Sequence, residues 1–439
     1  MKKTVVVFYS EGYCDQVAHA LDEYFKTIAD QVSVLLINEK QYTSIGSRAF
    51  KDKLYRFSMR NFPSLNRLFG FISYQYNEKI KSKTAKNAKE AEADVPVAAQ
   101  EGKEESFKKL KIHFRKVDNI LLRFNPDVVV CTTPVSLEMA LKARERLGSS
   151  VQICVAMTDY CTNRGLINKG VDKFLVQNAN IKQTLMTFGM KEDDISVLGT
   201  PINSFIVEKY DRDQMLDYFG VKNKDLPNVM IVSGRCGCAR VIDAFKVLAQ
   251  YSTEMNIFVF ANDSTNIHQY VKTYSKATKI NENVYVIDEI ENMAKMYSII
   301  DVVVTSPTAA ITYEAAARGI PCVLLKPVTL LEEGNFSYLT TNGYGFVGEK
   351  RSHLVPAVLS LIKGQNLDGT KLKVKEQPID KAKAYADAIL ALIPEDAQKK
   401  KADKAAKRAK LLAKEDAEID KEKEKEEKEA LKAAKKSKK

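Results

Sequence analysis

The chain is 439 residues long, 45% hydrophobic, with a formal net charge of +12. That length exceeds one ordinary core and fits two domains plus extra segments, and no run approaches the roughly 18 apolar residues of a membrane span. The charge is regional: residues 399–439 hold 17 Lys and Arg against 10 Asp and Glu, residues 48–83 hold nine against two, and the remainder is nearly neutral.

Seven cysteines lie scattered without small-domain spacing, which fits a reducing cytoplasm better than a disulfide framework. Met1-Lys2-Lys3 before Val5-Val6-Val7-Phe8 imitates a signal peptide, but the apolar run stops at Ser10-Glu11, too early for one.

Thr4 to Tyr9 reads as a buried strand, Ser10 to Tyr13 as a turn, and Asp15 to about Ala29 as a helix with Val17, Ala18, Leu21, Tyr24 and Phe25 on its apolar face. Val32 to Ile37 is the second strand. Residues 45–83 then interleave aromatic and basic side chains, among them Arg56, Phe57, Arg60, Phe62, Arg67 and Phe69. Rings that insert beneath headgroups and cations that attract anionic lipid would make this a membrane-facing segment. A packed helical excursion is the structural alternative, and Arg with aromatics also occurs on nucleic-acid surfaces. Thr84 to Glu105 is rich in Ala, Lys and Glu and reads as a mobile loop.

Phe107 to Phe124 is expected to be helical, Asp127 to Cys131 a strand, Ser136 to Arg146 a helix and Gln152 to Met157 the next strand. The last ends in Thr158-Asp159-Tyr160-Cys161, where Asp159 is either a carboxylate facing a cleft or a loop cap. A second sheet opens with Asn228 to Val232. The small-residue loop after it, Ser233-Gly234-Arg235-Cys236-Gly237-Cys238, has the form of a phosphate loop, with Arg235 available to an anion. Cys236 and Cys238 lack further nearby Cys or His, so no metal is expected.

The stretch Asp301 to Pro327 carries the most information. Val302 to Thr305 is a buried strand, and Ser306-Pro307-Thr308 supplies a hydroxyl cap with proline in the first turn. Ile311 to Arg318 is a helix stopped by Gly319, and Ile320 to Leu325 is the next strand. Helix N-termini after parallel strands offer free N–H groups to phosphate. Further strands and helices run to Ile393, including Glu289 to Tyr297 and Asp380 to Ile393 as helices and Gly343 to Val347 as a strand. The Lys/Glu/Ala-rich end, Lys399 to Lys439, reads as a solvated helix or a disordered tail.

In order, the motifs T-x-P-x-x-x-x-T-x-E-A-x-x-x-G-x-P from Thr305, Met157-Thr158-Asp159, Val171-Asp172-x-Phe174 and Gly199-x-Pro201-Ile202 resemble two related families. They are the processive diacylglycerol glycosyltransferases with monogalactosyldiacylglycerol synthases, and the lipid-linked N-acetylglucosaminyltransferases of peptidoglycan synthesis. The resemblance implies an α/β fold of GT-B type, with two doubly wound Rossmann-like domains facing a cleft. The expected division is 1–202 for the acceptor side, 203–378 for the nucleotide-sugar side, 379–393 for a helix crossing back and 394–439 for the charged tail.

It further implies that Glu314 holds the ribose of a UDP-sugar and that the turn at Pro307, Thr308 and Ala309 faces the diphosphate with Gly234, Arg235 and Gly237. Thr312 falls on the same motif, and Glu332 and Asn335 reach the donor sugar. Gly12 and Tyr13 stand at the acceptor turn, where the family carries histidine after the glycine. The carboxylates left to act as base there are Asp159 and Asp15, with Glu11 a nearer substitute. The chain also has Thr308-Ala309 for the family's Gly-Gly and Leu331 for its glutamine.

The expected activity is inverting transfer of a sugar from a UDP-sugar donor to a membrane lipid acceptor, diacylglycerol-like. It needs no cofactor, and the protein would be peripheral on the cytoplasmic, anionic membrane surface, with no nucleic-acid partner. The departures from the motifs favour the alternative, a non-catalytic descendant that binds a nucleotide, lipid or protein.

Overall fold

The computed structural model describes residues 2–10, 15–39, 115–232, 238–261, 265–280, 282–288, 290, 292–372 and 381–396, with 408–411, 413 and 417 beyond them. The mobile-loop expectation at 84–105 and the aromatic-basic segment lie outside these residues.

The apolar runs become twelve strands. β1 (Lys3–Tyr9), β2 (Val32–Asn38), β3 (Val128–Cys131), β4 (Gln152–Met157), β5 (Lys173–Val176) and β6 (Ile195–Val197) form one sheet in the order β2-β1-β3-β4-β5-β6. β7 (Asn228–Val232), β8 (Asn256–Phe260), β9 (Val284–Ile287), β10 (Val302–Thr305), β11 (Cys322–Leu324) and β12 (Phe346–Val347) form the other, ordered β12-β11-β10-β7-β8-β9. Every pairing within the strands is parallel. Parallel strands covered on both faces must be apolar on both, which is why Val5 to Phe8, Val128 to Cys131 and Val302 to Val304 are buried without alternation.

The helices are α1 (Asp15–Thr27), α2 (Arg115–Phe124), α3 (Pro134–Leu147), α4 (Ala179–Thr187), α5 (Arg212–Tyr218), α6 (Cys238–Leu248), α7 (Thr265–Ala277), α8 (Met293–Tyr297), α9 (Ala309–Ala317), α10 (Leu330–Thr341), α11 (Arg351–Leu361) and α12 (Ala382–Leu390). They flank both sheets, giving two doubly wound units in the GT-B arrangement. Each strand order reverses once, at β1/β3 in the first unit and at β7/β10 in the second. Crevices for ligands open at the carboxyl ends of strands at such reversals.

The chain passes from one sheet to the other between Val197 and Asn228 and returns at its end. Tyr385, Ala386 and Ile389 of α12 are fully buried in the apolar layer of Val5, Val17, Leu21 and Phe25. In the opposite sense, Tyr160 of the first unit joins the apolar layer of Met230, Phe258 and Val303 in the second.

Three local expectations shift. α9 begins at Ala309 with Thr308 as its N-cap residue, so Pro307 sits in the turn rather than in the first helical turn. No side chain caps α9: Thr308 N–H donates back to the Ser306 carbonyl at 2.7 Å instead. α8 starts at Met293 because the Asn292 side chain accepts from Ala294 N–H and sets the cap there. β12 keeps only two residues of Gly343 to Val347. The chain turns at Gly343 with φ +74°, and a Cβ at Gly345 would lie 2.5 Å from Leu324 Cδ1. Gly319, at φ +67°, does end α9 as expected.

Candidate functional site

The reversal at β7/β10 brings four pieces of chain to one place: the turn from Thr305 to Thr308, the first turns of α9, the start of α10, and Arg240 on α6. Ser306 and Thr305 are wholly buried, and their hydroxyls, with that of Thr308, make no hydrogen bond. Unpaired buried hydroxyls are uncommon because each forfeits its solvation. Here they stand beside the free N–H groups and positive dipole end of α9, a setting that suits an anion.

Glu314 lies about a turn and a half into the same helix and is 8% exposed. Its Oε2 accepts from the Tyr297 hydroxyl at 2.8 Å, and its Oε1 accepts from the Gln16 side-chain amide of α1 in the other unit. Burial, and then the neighbouring Glu314 charge, hold the Tyr297 phenol well above its ordinary pKa, so Tyr297 stays a donor.

Glu332 caps its own helix: Thr329 Oγ1 accepts from its N–H, and its Oε2 accepts from Val328 N–H at 2.7 Å. The rest of the carboxylate is gripped by Arg240, with Nη2 at 3.1 Å from Oε1 and Nη1 at 3.2 Å from Oε2. Arg240 Nη1 also donates to the Lys326 carbonyl at 2.7 Å, tying α6 to the end of β11.

Asn335, 2% exposed, spans the two units. Its amide donates to Asp159 Oδ1 at 3.0 Å and to the Pro307 carbonyl at 3.2 Å, while its own carbonyl accepts from Tyr160 N–H at 2.9 Å. Tyr160 stacks on Tyr313 with ring centroids 4.7 Å apart and 5° between planes, and on Tyr338 at 5.2 Å and 21°. Its hydroxyl meets that of Thr312 at 3.2 Å. Burial pushes the Tyr160 phenol well above its ordinary pKa. The seam between the units is consequently tight: between Gln16, Thr158, Thr200, Ala309, Ala310 and Tyr313 there remains about 10 Å³, room for one water.

The structure thus brings Pro307, Thr308, Ala309, Thr312, Glu314, Glu332, Asn335 and Asp159 together. Asp159 is 6% exposed and lies in the seam, bonded to Asn335. Asp15 is the first residue of α1, one position before Gln16. Gly12, Tyr13, Gly234, Arg235 and Gly237 lie outside the described residues, as do Arg56, Phe57, Arg60, Phe62, Arg67 and Phe69. Gln16, Tyr160, Tyr297 and Arg240 were not singled out as site residues by the sequence. The contact of Gln16 with Glu314 joins positions 298 residues apart, which leaves no local pattern to find. Among the described residues no group of three or more His, Cys, Asp or Glu is placed to hold a metal ion. No helix among them is long and apolar enough to cross a membrane.

The sequence model of the monogalactosyldiacylglycerol (MGDG) synthase family matches residues 97–202. Over 279 residues the chain is 22% identical to the processive diacylglycerol β-glucosyltransferase of Bacillus pumilus, covering 62% of this chain and 71% of that one. The protein of the same name from Bacillus cereus (strain G9842) is 26% identical over 235 residues, 53% of this chain and 59% of the relative. Among solved structures, UDP-GlcNAc 2-epimerase from Neisseria meningitidis, bound to UDP-GlcNAc, superimposes with a TM-score of 0.58 at 13% identity, over 89% of this chain and all of that one. MurG from Acinetobacter baumannii gives 0.51 at 12% identity, with the same coverage. The sequence matches bear out the resemblance read from the motifs, and the structural ones bear out the two-unit fold.

Proposed function

We propose that the chain is a glycosyltransferase of glycolipid synthesis, moving a sugar from a UDP-sugar to a diacylglycerol-like acceptor with inversion at the anomeric carbon. The observation that carries this reading is the gathering of Glu314, Glu332, Asn335 and the Thr305–Thr308 turn at one strand-order reversal, with the hydroxyls of Ser306 and Thr308 unpaired beside a helix N-terminus. The names borne by the relatives support it.

In the reaction the acceptor hydroxyl oxygen bonds to the anomeric carbon from the face opposite the diphosphate. The bond from that carbon to the UDP oxygen breaks, and the hydroxyl proton passes to a base. Charge grows on the departing diphosphate, where the N–H groups of α9 and the Ser306 and Thr308 hydroxyls are preorganised to receive it. The base comes from the first unit, where Asp159, Asp15 and Tyr13 are the candidates. The aromatic-basic segment 48–83 would hold the protein on the anionic inner face of the membrane, beside its acceptor.

A second reading, a non-catalytic descendant, is favoured by one observation: both Glu314 oxygens are already bonded by protein donors. The two part on direct assay. The protein is incubated with UDP-glucose or UDP-galactose and vesicles of diacylglycerol in anionic phospholipid, and lipid-borne sugar is measured. Transfer supports the first reading; firm vesicle binding without transfer from either donor supports the second.

A further inference from the structure

Glu314 is held from two directions by contacts of different standing. Tyr297 belongs to the same unit, one strand away, and is buried with it. Gln16 belongs to the other unit and reaches across the seam from the second residue of α1. A ribose would offer the carboxylate hydroxyl donors, and the Gln16 amide offers a donor to the same oxygen. A ribose hydroxyl donating to that oxygen would therefore compete with the Gln16 amide for it. The Tyr160 stack and the Asn335 bonds, by contrast, do not involve Glu314.

We propose that Gln16 is a latch that stands in for the ribose hydroxyls on Glu314 and sets the affinity for the nucleoside diphosphate. This rests on the donor reading above. The nucleotide binds by displacing Gln16, α1 shifts away from α9, and the units turn about the Tyr160 stack without parting. In sequence α1 follows directly on Gly12 and Tyr13, the residues the motifs assign to the acceptor, so occupancy of the donor site reaches the acceptor side through one helix. By linkage, anything that holds α1 away from α9 tightens nucleotide binding by the same factor.

The test is calorimetry with UDP on the full-length protein, with Gln16→Met, which keeps the side chain's bulk without its donor, and Gln16→Ala as a second variant. Both should bind UDP about fivefold more tightly than wild type, the worth of one competing hydrogen bond. Hydrogen exchange supplies a readout that needs no nucleotide: the variants should exchange faster along Ala309–Ala317 and Asp15–Thr27. UDP added to wild type should speed exchange along Asp15–Thr27 in the same way. Unchanged or weaker UDP binding in both variants, while Glu314→Ala weakens it more than about tenfold, overturns the latch and leaves the donor reading standing. If wild type and variants all fail to bind millimolar UDP, the donor reading falls and this assignment of Gln16 falls with it. Unchanged exchange in the variants overturns the latch whatever the nucleotide result.

Discussion

Asn335 and Asp159, 176 residues apart, meet at 3.0 Å in a seam where each is less than a tenth exposed. The same amide serves the Pro307 carbonyl and the Tyr160 N–H. One side chain therefore satisfies three groups that water cannot reach. Asn335→Ala should lower the unfolding free energy by about 2–4 kcal/mol, since it removes the bonds and strands their partners. A double-mutant cycle with Asp159→Ala should show coupling on the order of 1 kcal/mol. Urea denaturation measures both, and strict additivity would show that the contact contributes nothing.

Gly334 faces Cys161 across the same seam. A Cβ there would lie 2.5 Å from Cys161 Sγ and 2.8 Å from its Cβ, nearer than carbon approaches either atom. Gly334→Ala should destabilise by about 1–3 kcal/mol, as overpacking does. Cys161→Ala, which removes the nearer atom, should recover part of that loss in the double variant. A melting temperature unchanged by Gly334→Ala would mean that the seam gives way easily at this point.

For donor binding, Glu314 and Glu333 should separate. Glu314 lies among the converging motif residues, whereas Glu333 precedes Gly334 on α10 and is only partly buried. Glu314→Ala should weaken UDP binding by about 1.5–3 kcal/mol, the range for a hydrogen bond to a charged group. Glu333→Ala should leave it nearly unchanged. Equal UDP affinity in wild type and Glu314→Ala would remove that carboxylate from the site.

Alkaline pH should unfold the protein early. Burial raises the thiol pKa of Cys131 and Cys154 far above the ordinary value near 8.5, and that of Cys322 to about 12. Tyr160, Tyr297 and Tyr385 are raised above 10 chiefly by the same cause. Between the unfolded and folded pKa values the unfolded chain has released protons that the folded one retains. Stability is therefore full below about pH 8.5 and falls as pH rises, on the order of 1 kcal/mol per unit for each buried thiol, with the tyrosines joining above about 10. Calorimetric melting at pH 8, 9 and 10 should show an accelerating drop. Replacing Cys131, Cys154 and Cys322 together by alanine should flatten its first part; a profile already flat in wild type would contradict the assignment.

Local chemistry made much of this architecture readable. Continuous runs such as Val302–Thr305 and Val128–Cys131 admit little but a strand buried on both faces, and Gly319 marked the end of α9. The motif around Glu314, Glu332 and Asn335 indicated which residues would converge. What those residues touch was not readable, because it is set by packing between units. Nothing near Glu332 names Arg240, 92 residues earlier, and nothing near Asp159 names Asn335. Nor does the Thr308 region announce that its hydroxyls stay unbonded, since a threonine before a helix ordinarily caps it. The short β12 has the same origin: glycines that leave a strand possible in sequence are required here by the closeness of Leu324 and Val323.

The place of Tyr160 bears on how the molecule comes apart. Its ring completes a column with Tyr313, Tyr338 and Tyr344 that belongs to the second unit, while its backbone belongs to the first. α12 makes the reciprocal loan, filling the first unit's interior from the chain's far end. A cut between Val197 and Asn228 would therefore yield two polypeptides, each carrying a plug for the other's hole. Co-expressed halves should reassemble into one particle that co-purifies, whereas either half alone would expose an apolar socket and precipitate.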